Sequence, residues 1–313
     1  MRVMVLGSGG FVGSAVARAC LQLEHEPVCV SRTTSDTEFI SVEGDRNQPH
    51  DIADLLETYA CEAIVDMIAY TAATTEALLK AIAGWTGRYV LISSADVYRN
   101  YGLLHRMEEG QPDPGLLDET APLRSHLYPY KLAAPRADTD PQKWMDDYDK
   151  ILVERVVQDM RSDWTICRLP MVYGSGDPQM RFAWAYAQMM AGADRIELPG
   201  SWLDWTLTHG HVETVAAAIV EAAMHPGTAR GVFNIAEDES PVPHAVWVER
   251  LATLTGWSGE VVRSEDPNNP IAQATASLDL SVPLSVSGER LRETTGFVSP
   301  LTPELALKTL LTN

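Results

Sequence analysis

Cysteine is scarce in this sequence. The 313 residues include four cysteines, which lie far apart within apolar segments: Cys20, Cys29, Cys61 and Cys167. Because no two of them form a C-x-x-C pair, the pattern argues against a zinc site and a thiol redox centre. The length of the chain excludes a disulfide-stapled miniprotein. We therefore expect a reduced, intracellular protein, located in the cytoplasm.

Basic residues and long apolar runs are also in short supply. Lys and Arg number 24 against 43 Asp and Glu, which gives a net charge of −19. A field of that sign repels phosphate backbones and anionic membranes, so we expect neither a nucleic acid nor a membrane partner. No run of about 18 uncharged apolar residues occurs, and the apolar run at 3–6 is too short for a signal peptide. We expect no membrane span.

The composition that remains is that of a folded globular protein. Hydrophobic residues make up 45% and charged residues 21% of the chain, which excludes wholesale disorder. At roughly 150 residues per domain, the length favours about two domains.

Short apolar runs alternate with amphipathic segments along most of the chain. The runs at 3–6, 28–30, 39–42, 63–68, 89–93, 164–169 and 231–235 predict strands, and the segments 11–23, 52–59, 74–83, 148–160 and 211–223 predict helices. This rhythm predicts an α/β fold with a doubly wound, Rossmann-like parallel sheet. We assign 1–173 and 206–236 to a dinucleotide-binding domain, and 174–205 and 237–313 to a smaller, discontinuous substrate lobe. The proline-rich stretch 98–144 breaks the rhythm and predicts a lid.

A glycine-rich turn joins the first strand to the first helix. Glycines in such a place permit a tight turn and let main-chain amides approach a pyrophosphate at the helix N-terminus. An ordinary strand-to-helix turn is the alternative, but a glycine cluster that opens a βαβ unit favours dinucleotide binding. The predicted site residues are Gly7, Ser8, Gly9, Gly10, Phe11, Val12 and Gly13.

The spacing Gly7-x-x-Gly10-x-x-Gly13 resembles that of the short-chain dehydrogenase/reductase superfamily, in its extended branch of nucleotide-sugar epimerases and dehydratases. Similar segments continue along the chain: Ser-Ser-Ala-Asp-Val-Tyr at 93–98, Asp-Glu-Thr-Ala-Pro-Leu at 118–123, Arg-Leu-Pro-Met-Val-Tyr-Gly at 168–174, His-Val-Glu at 211–213 and Phe-Asn-Ile at 233–235. The resemblance implies an enzyme that uses a nicotinamide cofactor to oxidise, reduce, epimerise or dehydrate a polar small-molecule substrate such as a nucleotide sugar, and the oligomer that we consider is a homodimer. It also implies that Asp45 contacts the adenine, and that Ala69, Lys150, Pro170 and Val172 lie beside the cofactor.

The end of the second predicted strand indicates which cofactor is preferred. An NAD site carries an acidic residue about 20 positions past the glycines, and here the sequence reads Ser31, Arg32, Thr33 instead. A guanidinium and neighbouring hydroxyls suit a 2′-phosphate, so we expect NADP(H), with NAD(H) as the second choice. A solvated loop is the alternative interpretation.

The resemblance also implies catalytic roles. Ser94 would hydrogen-bond the substrate oxygen, although it could equally bond its own backbone, and Lys150 would hold the nicotinamide ribose. A competing match, Tyr-Pro-Tyr-Lys-Leu-Ala-Ala at 128–134, is flanked by prolines that would break the required helix. We therefore place the active-site helix at Lys150.

The chain departs from the family at the catalytic tyrosine. That tyrosine stands four residues before the lysine, and the position holds Asp146 here, whereas Tyr148 is two residues before Lys150. Three alternatives stay open: Tyr148 as the acid/base, Asp146 in that role, or no catalysis. The functional rivals are a non-catalytic NADP(H)-binding sensor or structural protein, and RNA binding, which the negative charge opposes. We expect no metal, because His209 and His211 lack a third ligand at matching spacing.

Overall fold

Strands and helices alternate through the first two thirds of the chain. The structure is a computed structural model that describes residues 1–33, 38–237 and 241–311. Its strands are β1 (Arg2–Leu6), β2 (Glu26–Ser31), β3 (Ile40–Glu43), β4 (Ala63–Asp66), β5 (Arg88–Ser94), β6 (Trp164–Leu169), β7 (Met171–Tyr173), β8 (Arg195–Pro199), β9 (His209–His211), β10 (Gly231–Asn234) and β11 (Glu260–Ser264). Its helices are α1 (Phe11–Gln22), α2 (Pro49–Thr58), α3 (Ala72–Ala81), α4 (Arg99–Leu104), α5 (Lys150–Met160), α6 (Ala183–Met190), α7 (Gly200–Asp204), α8 (Val212–Met224), α9 (His244–Thr255), α10 (Pro270–Ala274), α11 (Glu289–Thr295) and α12 (Pro303–Lys308).

Seven of the strands form one parallel sheet in the order β10-β6-β5-β4-β1-β2-β3. The chain builds outward from β1 through β2 to β3 and then returns to the other side of β1 with β4. This reversal creates a crevice beyond the carboxyl ends of β1 and β4, where ligands bind in open α/β sheets. The predicted doubly wound, Rossmann-like fold is confirmed.

Both faces of the sheet are covered by helices, as a parallel sheet requires. On one face, α1 and α8 bury the apolar side chains of β1, β4 and β6. On the other face, α2, α3 and α5 pack over β1, β2 and β5. The central strands are apolar on both sides as a result, and β4 and β6 are buried along their full length.

A separate cluster of buried side chains lies in the later part of the chain. Helices α6, α7, α9 and α12 and strand β8 supply most of it, and the aromatic residues Phe182, Trp202, Trp205 and Trp247 fill its interior. Within the segment 180–190, Phe182, Ala185 and Met189 pack into this cluster, whereas Met180 and Met190 are exposed. No described helix has both the length and the apolarity to cross a membrane.

Helix α5 begins later than the sequence predicts. The expected start at 148 is wrong, because Asp149 has the extended conformation of a cap (φ −161°) and its carboxylate accepts a hydrogen bond from Ile151 N. The same carboxylate accepts from Arg124 Nη2 at 3.2 Å and from Tyr128 N at 2.6 Å. Contacts from the preceding loop, which the local sequence pattern does not encode, thus set the first residue of the helix.

Candidate active site

The glycine-rich turn is tightly packed against the sheet. Gly7 has a positive φ of 87°, and a Cβ built on it would lie 2.8 Å from Ile68 Cγ2 on the neighbouring strand end. A Cβ on Gly13 would lie 2.3 Å from the main-chain oxygen of Gly7. Only glycine allows α1 to start this close to β1. Gly9 and Gly10 are exposed, so their main chain is open to a ligand.

A cleft of about 880 Å³ extends from this turn along the ends of β1, β2 and β3. Arg32 is exposed at its rim. Ser31 Oγ donates to the main-chain oxygen of Thr33 at 2.6 Å, which fixes the loop that carries Arg32. Asp45 also lines the cleft, and its carboxylate accepts from Asn47 N at 2.8 Å. Among the described residues beyond the glycines, the cleft therefore presents the exposed guanidinium of Arg32 and the carboxylate of Asp45, and the side chain of Arg46 is buried in its wall.

A buried ion pair supports the wall of this cleft. Arg46 Nε donates to Asp66 Oδ2 at 2.8 Å, its Nη2 donates to Thr75 Oγ1 at 3.0 Å, and the Tyr89 hydroxyl donates to Asp66 at 2.5 Å. Both charged side chains are at most 1% exposed. The pairing offsets the free-energy cost of burying the two charges, which is high for an unpaired buried charge.

The loop after α4 contributes to the same cleft. Pro141 and Trp144 lie on its lining, and the Trp144 ring stacks on Tyr70 with a centroid distance of 4.3 Å. Trp144 is the last residue of the proline-rich stretch 98–144, whereas Tyr70 follows β4. An aromatic pair therefore joins the predicted lid to the sheet at the cleft.

A smaller pocket of about 290 Å³ adjoins the cleft, and Tyr70 lies on the lining of both. The pocket is bounded by the ends of β5 and β6, the first turn of α1, and the loop after β7. Ser94, Tyr148 and Lys150 line it. Ser94 Oγ accepts from Asp96 N at 3.2 Å, which leaves its O–H available as a donor.

Lys150 is buried at the base of this pocket. Its ammonium donates to the main-chain oxygens of Ala69 at 2.7 Å and Ile92 at 2.8 Å. An ammonium has three N–H donors, so one remains for a ligand. Burial lowers the pKa of Lys150 to about 8.

The Tyr148 hydroxyl points to a carboxyl group and not to the lysine. Its hydroxyl donates to Asp96 Oδ2 at 2.8 Å, while the Lys150 Nζ lies 5.8 Å from the centre of the tyrosine ring. Burial, and then the charge of Asp96, raises the pKa of Tyr148 well above its ordinary value. The phenol is therefore held protonated, and its ionisation is disfavoured.

Asp146 turns away from both cavities. It lies in a 3₁₀ turn, Lys143–Asp146, outside α5, and its carboxylate accepts from the backbone of Arg136 at 2.9 Å and the guanidinium of Arg136 at 2.5 Å. Burial opposes ionisation, but these bonds outweigh it and lower the pKa of Asp146. Asp146 is absent from the described linings of the cleft and the pocket.

The structure brings most of the predicted site residues to these two cavities. Those on the cleft are Gly7, Gly9, Gly10, Ser31, Arg32, Thr33 and Asp45. Those on the pocket are Phe11, Val12, Ser94, Tyr148, Lys150, Pro170 and Val172. Four lie on neither lining: Ser8, Gly13, Ala69 and Asp146. Of these, Gly13 supports the turn and Ala69 anchors the lysine.

Sequence reasoning missed three side chains at the site. Tyr70 and Trp144 form the aromatic pair, and Asp96 lies behind Tyr148. Asp96 is two residues past Ser94, so its position was available from the sequence. Its burial and its tyrosine partners were not available, because Tyr130 and Tyr148 both come from the loop between α4 and α5.

A model of the NAD dependent epimerase/dehydratase family matches residues 3–236. Among curated proteins, none matches the chain significantly.

Solved structures of low sequence identity share the fold along the whole chain. UDP-glucose 4-epimerase of Thermotoga maritima, solved with UDP-glucose, is 15% identical with a TM-score of 0.69, and the match covers 100% of this chain and 98% of that one. The dTDP-glucose 4,6-dehydratase of Bacillus anthracis, in complex with NAD, is 17% identical with a TM-score of 0.69, and the match covers 100% of this chain and 96% of that one. The UDP-glucose 4-epimerase of Thermus thermophilus, in complex with NAD, is 16% identical with a TM-score of 0.66, and the match covers 100% of this chain and 98% of that one.

Proposed function

Since the chain belongs to the NAD dependent epimerase/dehydratase family, we propose that it is an enzyme that uses a nicotinamide cofactor to oxidise, reduce, epimerise or dehydrate a small polar molecule. The observation that carries this proposal is the pair of adjoining cavities that share Tyr70. One cavity begins at the glycine-rich turn, and the other contains Ser94, Tyr148 and Lys150. A dinucleotide that spans the two would have its reactive ring beside these three side chains.

The residues of the cleft fit such a cofactor. A Cβ built on Gly9 would lie 3.6 Å from Ser31 Cβ, so a side chain at this position would occupy space between the turn and the end of β2. The amides in the first turn of α1 have no partners within the helix and can bind a pyrophosphate. The one uncommitted N–H of Lys150 can hold a ribose hydroxyl. When bound, the nicotinamide ring accepts or donates a hydride.

We propose that the preferred cofactor is NADP(H). The exposed Arg32 guanidinium at the cleft rim is suited to a 2′-phosphate, and its loop is fixed by the Ser31 hydrogen bond. Titration calorimetry tests this: Arg32→Ala should weaken NADPH binding at least tenfold and leave NADH binding unchanged. Arg155→Ala, which removes an equal charge from an exposed site on α5, is the matched control. Equal affinities for the two cofactors in the unaltered protein would contradict the preference.

The substrate is proposed to enter the smaller pocket from the lobe formed by 174–205 and 237–313. Ser94 would hydrogen-bond its reacting oxygen, and Tyr148 would exchange a proton with it. Because similar folds were solved with UDP-glucose and with NAD, nucleotide sugars are the first compounds to try. Tyr148→Phe removes only a hydroxyl and should abolish turnover of a substrate so found, as should Lys150→Ala.

A non-catalytic NADP(H)-binding protein is the second candidate, and one observation favours it. The Tyr148 hydroxyl is committed to Asp96, and Asp146 is committed to Arg136. A crystal soaked with NADPH separates the two candidates. A polar side chain within hydrogen-bond distance of the C4 face of the nicotinamide ring would support catalysis. A nicotinamide face covered only by apolar groups would support a non-catalytic NADP(H)-binding protein.

A further inference from the structure

Asp96 is a buried carboxyl group held by tyrosines. It lies in the 3₁₀ turn Ala95–Val97 directly after β5 and is 4% exposed. Its Oδ2 accepts from the Tyr148 hydroxyl at 2.8 Å and from the Tyr130 hydroxyl at 3.2 Å. Its Oδ1 is buried and has no hydrogen-bond partner among the described residues.

The neighbouring cations are engaged elsewhere. Arg124 donates its Nε to the main-chain oxygen of Asp96 at 2.5 Å, and its Nη2 pairs with Asp149 at 3.2 Å. The ammonium of Lys150 is bound to two main-chain oxygens. In the described part of the chain, no ion pair reaches the Asp96 carboxylate, and burial raises its pKa. Such a group can hold a proton that an exposed aspartate would lose.

Among the described residues, Tyr148 is the one side chain that both lines the pocket and hydrogen-bonds the Asp96 carboxyl. It lines the pocket with Ser94 and Lys150, and its hydroxyl contacts Asp96. Its own ionisation is disfavoured, as described above, so the protein disfavours a mechanism that needs a free phenolate. A tyrosine that gives one proton while it receives another never has to become a phenolate.

We infer that Asp96 is the terminal proton acceptor and donor of the pocket and that it works through Tyr148. When an alcohol is oxidised, its O–H bond breaks and the proton bonds to Tyr148 Oη, while the former phenolic proton moves to Asp96 Oδ2. The carbinol hydrogen leaves with its electron pair as the hydride that the cofactor accepts. In reduction, each proton moves in the reverse direction. This inference rests on the proposed function.

The ability of the Asp96 carboxyl group to hold a proton is tested first, in the unliganded full-length protein, by infrared difference spectroscopy during a pH titration. The unaltered protein should show a carboxylic acid C=O band that persists above the usual titration range of aspartate and is absent in Asp96→Asn. Tyr130→Phe removes a donor that favours the carboxylate, so the band should titrate about one pH unit higher. Tyr101→Phe is the matched control, because Tyr101 contacts Tyr130 but makes no hydrogen bond to Asp96.

The link to Tyr148 is tested by its ultraviolet ionisation, taken as the difference between the unaltered protein and Tyr148→Phe. Without the Asp96 charge, Tyr148 should ionise at lower pH in Asp96→Asn. A missing acid band, or an unchanged Tyr148 titration, would overturn the inference. If Asp96→Asn does not fold, equal band positions in Tyr130→Phe and Tyr101→Phe would overturn it instead.

Turnover completes the test, with NADPH and glyceraldehyde as the probe carbonyl. The pH profile of NADPH oxidation should move upward in Tyr130→Phe by the same amount as the acid band. A profile that stays fixed while the band moves would remove Asp96 from the proton path. Failure of NADPH to bind would overturn the proposed function and leave the two titrations standing, so the two failures are distinguishable.

Discussion

Gly13 sets how closely the first helix approaches the first strand. A Cβ there would meet the main chain of Gly7 and Ser8 at 2.3–3.1 Å, and main-chain atoms cannot rotate away. We expect Gly13→Ala to destabilise the protein by about 1–3 kcal/mol and to weaken NADPH binding, because α1 must shift from the turn. Urea unfolding and calorimetry measure the two effects. Gly84→Ala is the control, since nothing lies within 4 Å of a Cβ at that position.

The Arg46–Asp66 pair is the second residue-level determinant of the cleft. Asp66→Asn would leave a guanidinium that is 1% exposed without its counter-charge, and we expect the free energy of unfolding to fall by about 3–5 kcal/mol. Glu76→Gln disrupts an exposed pair with Lys80 and should have little effect. If chemical denaturation gave equal losses for both variants, the buried pair would have no special part in stability.

The loop between α4 and α5 consists of two parts that make different contacts. Leu117 N donates to the main-chain oxygen of Ser285 at 2.8 Å, and Leu117 O accepts from Ser287 N at 2.9 Å, which ties the first part to the body. Pro141 and Trp144 lie on the cleft. We therefore expect the predicted lid to be confined to the later part of this loop.

Hydrogen exchange tests this division. On addition of NADPH, amides in 136–146 should gain protection because the ligand fills the cleft that this part lines, whereas 108–126 should exchange as before. Protection that is the same with and without ligand throughout 98–144 would show that the segment is a fixed insertion.

The start of α5 shows why element boundaries escape the sequence. Helical spacing of apolar residues continues to 148, yet the helix begins at Lys150 because Asp149 is held by Arg124 and Tyr128. Those two residues are more than twenty positions away in sequence. Periodicity reports which face of a helix is apolar, but it carries no information on a distant partner of its cap.

The negative charge is a property of the whole molecule. With a net charge of −19, self-repulsion destabilises the compact state at low ionic strength. We expect the melting temperature to rise as sodium chloride increases to about 0.15 M, where charges are screened beyond about 8 Å. Scanning calorimetry measures the change, and potassium chloride should give the same curve. A falling melting temperature would mean that exposed ion pairs such as Arg263–Asp204 outweigh the repulsion.

The sequence by itself determined the alternation of strands and helices, the glycine-rich turn and the family, because each depends on residues close together along the chain. Apolar periodicity and the spacing of Gly7, Gly10 and Gly13 are local signals. The tertiary structure alone decided that Asp146 pairs with Arg136 and that Tyr148 meets Asp96. The Tyr148–Asp96 contact joins residues 52 positions apart, and the direction in which a side chain points follows from packing between elements. No local pattern encodes it.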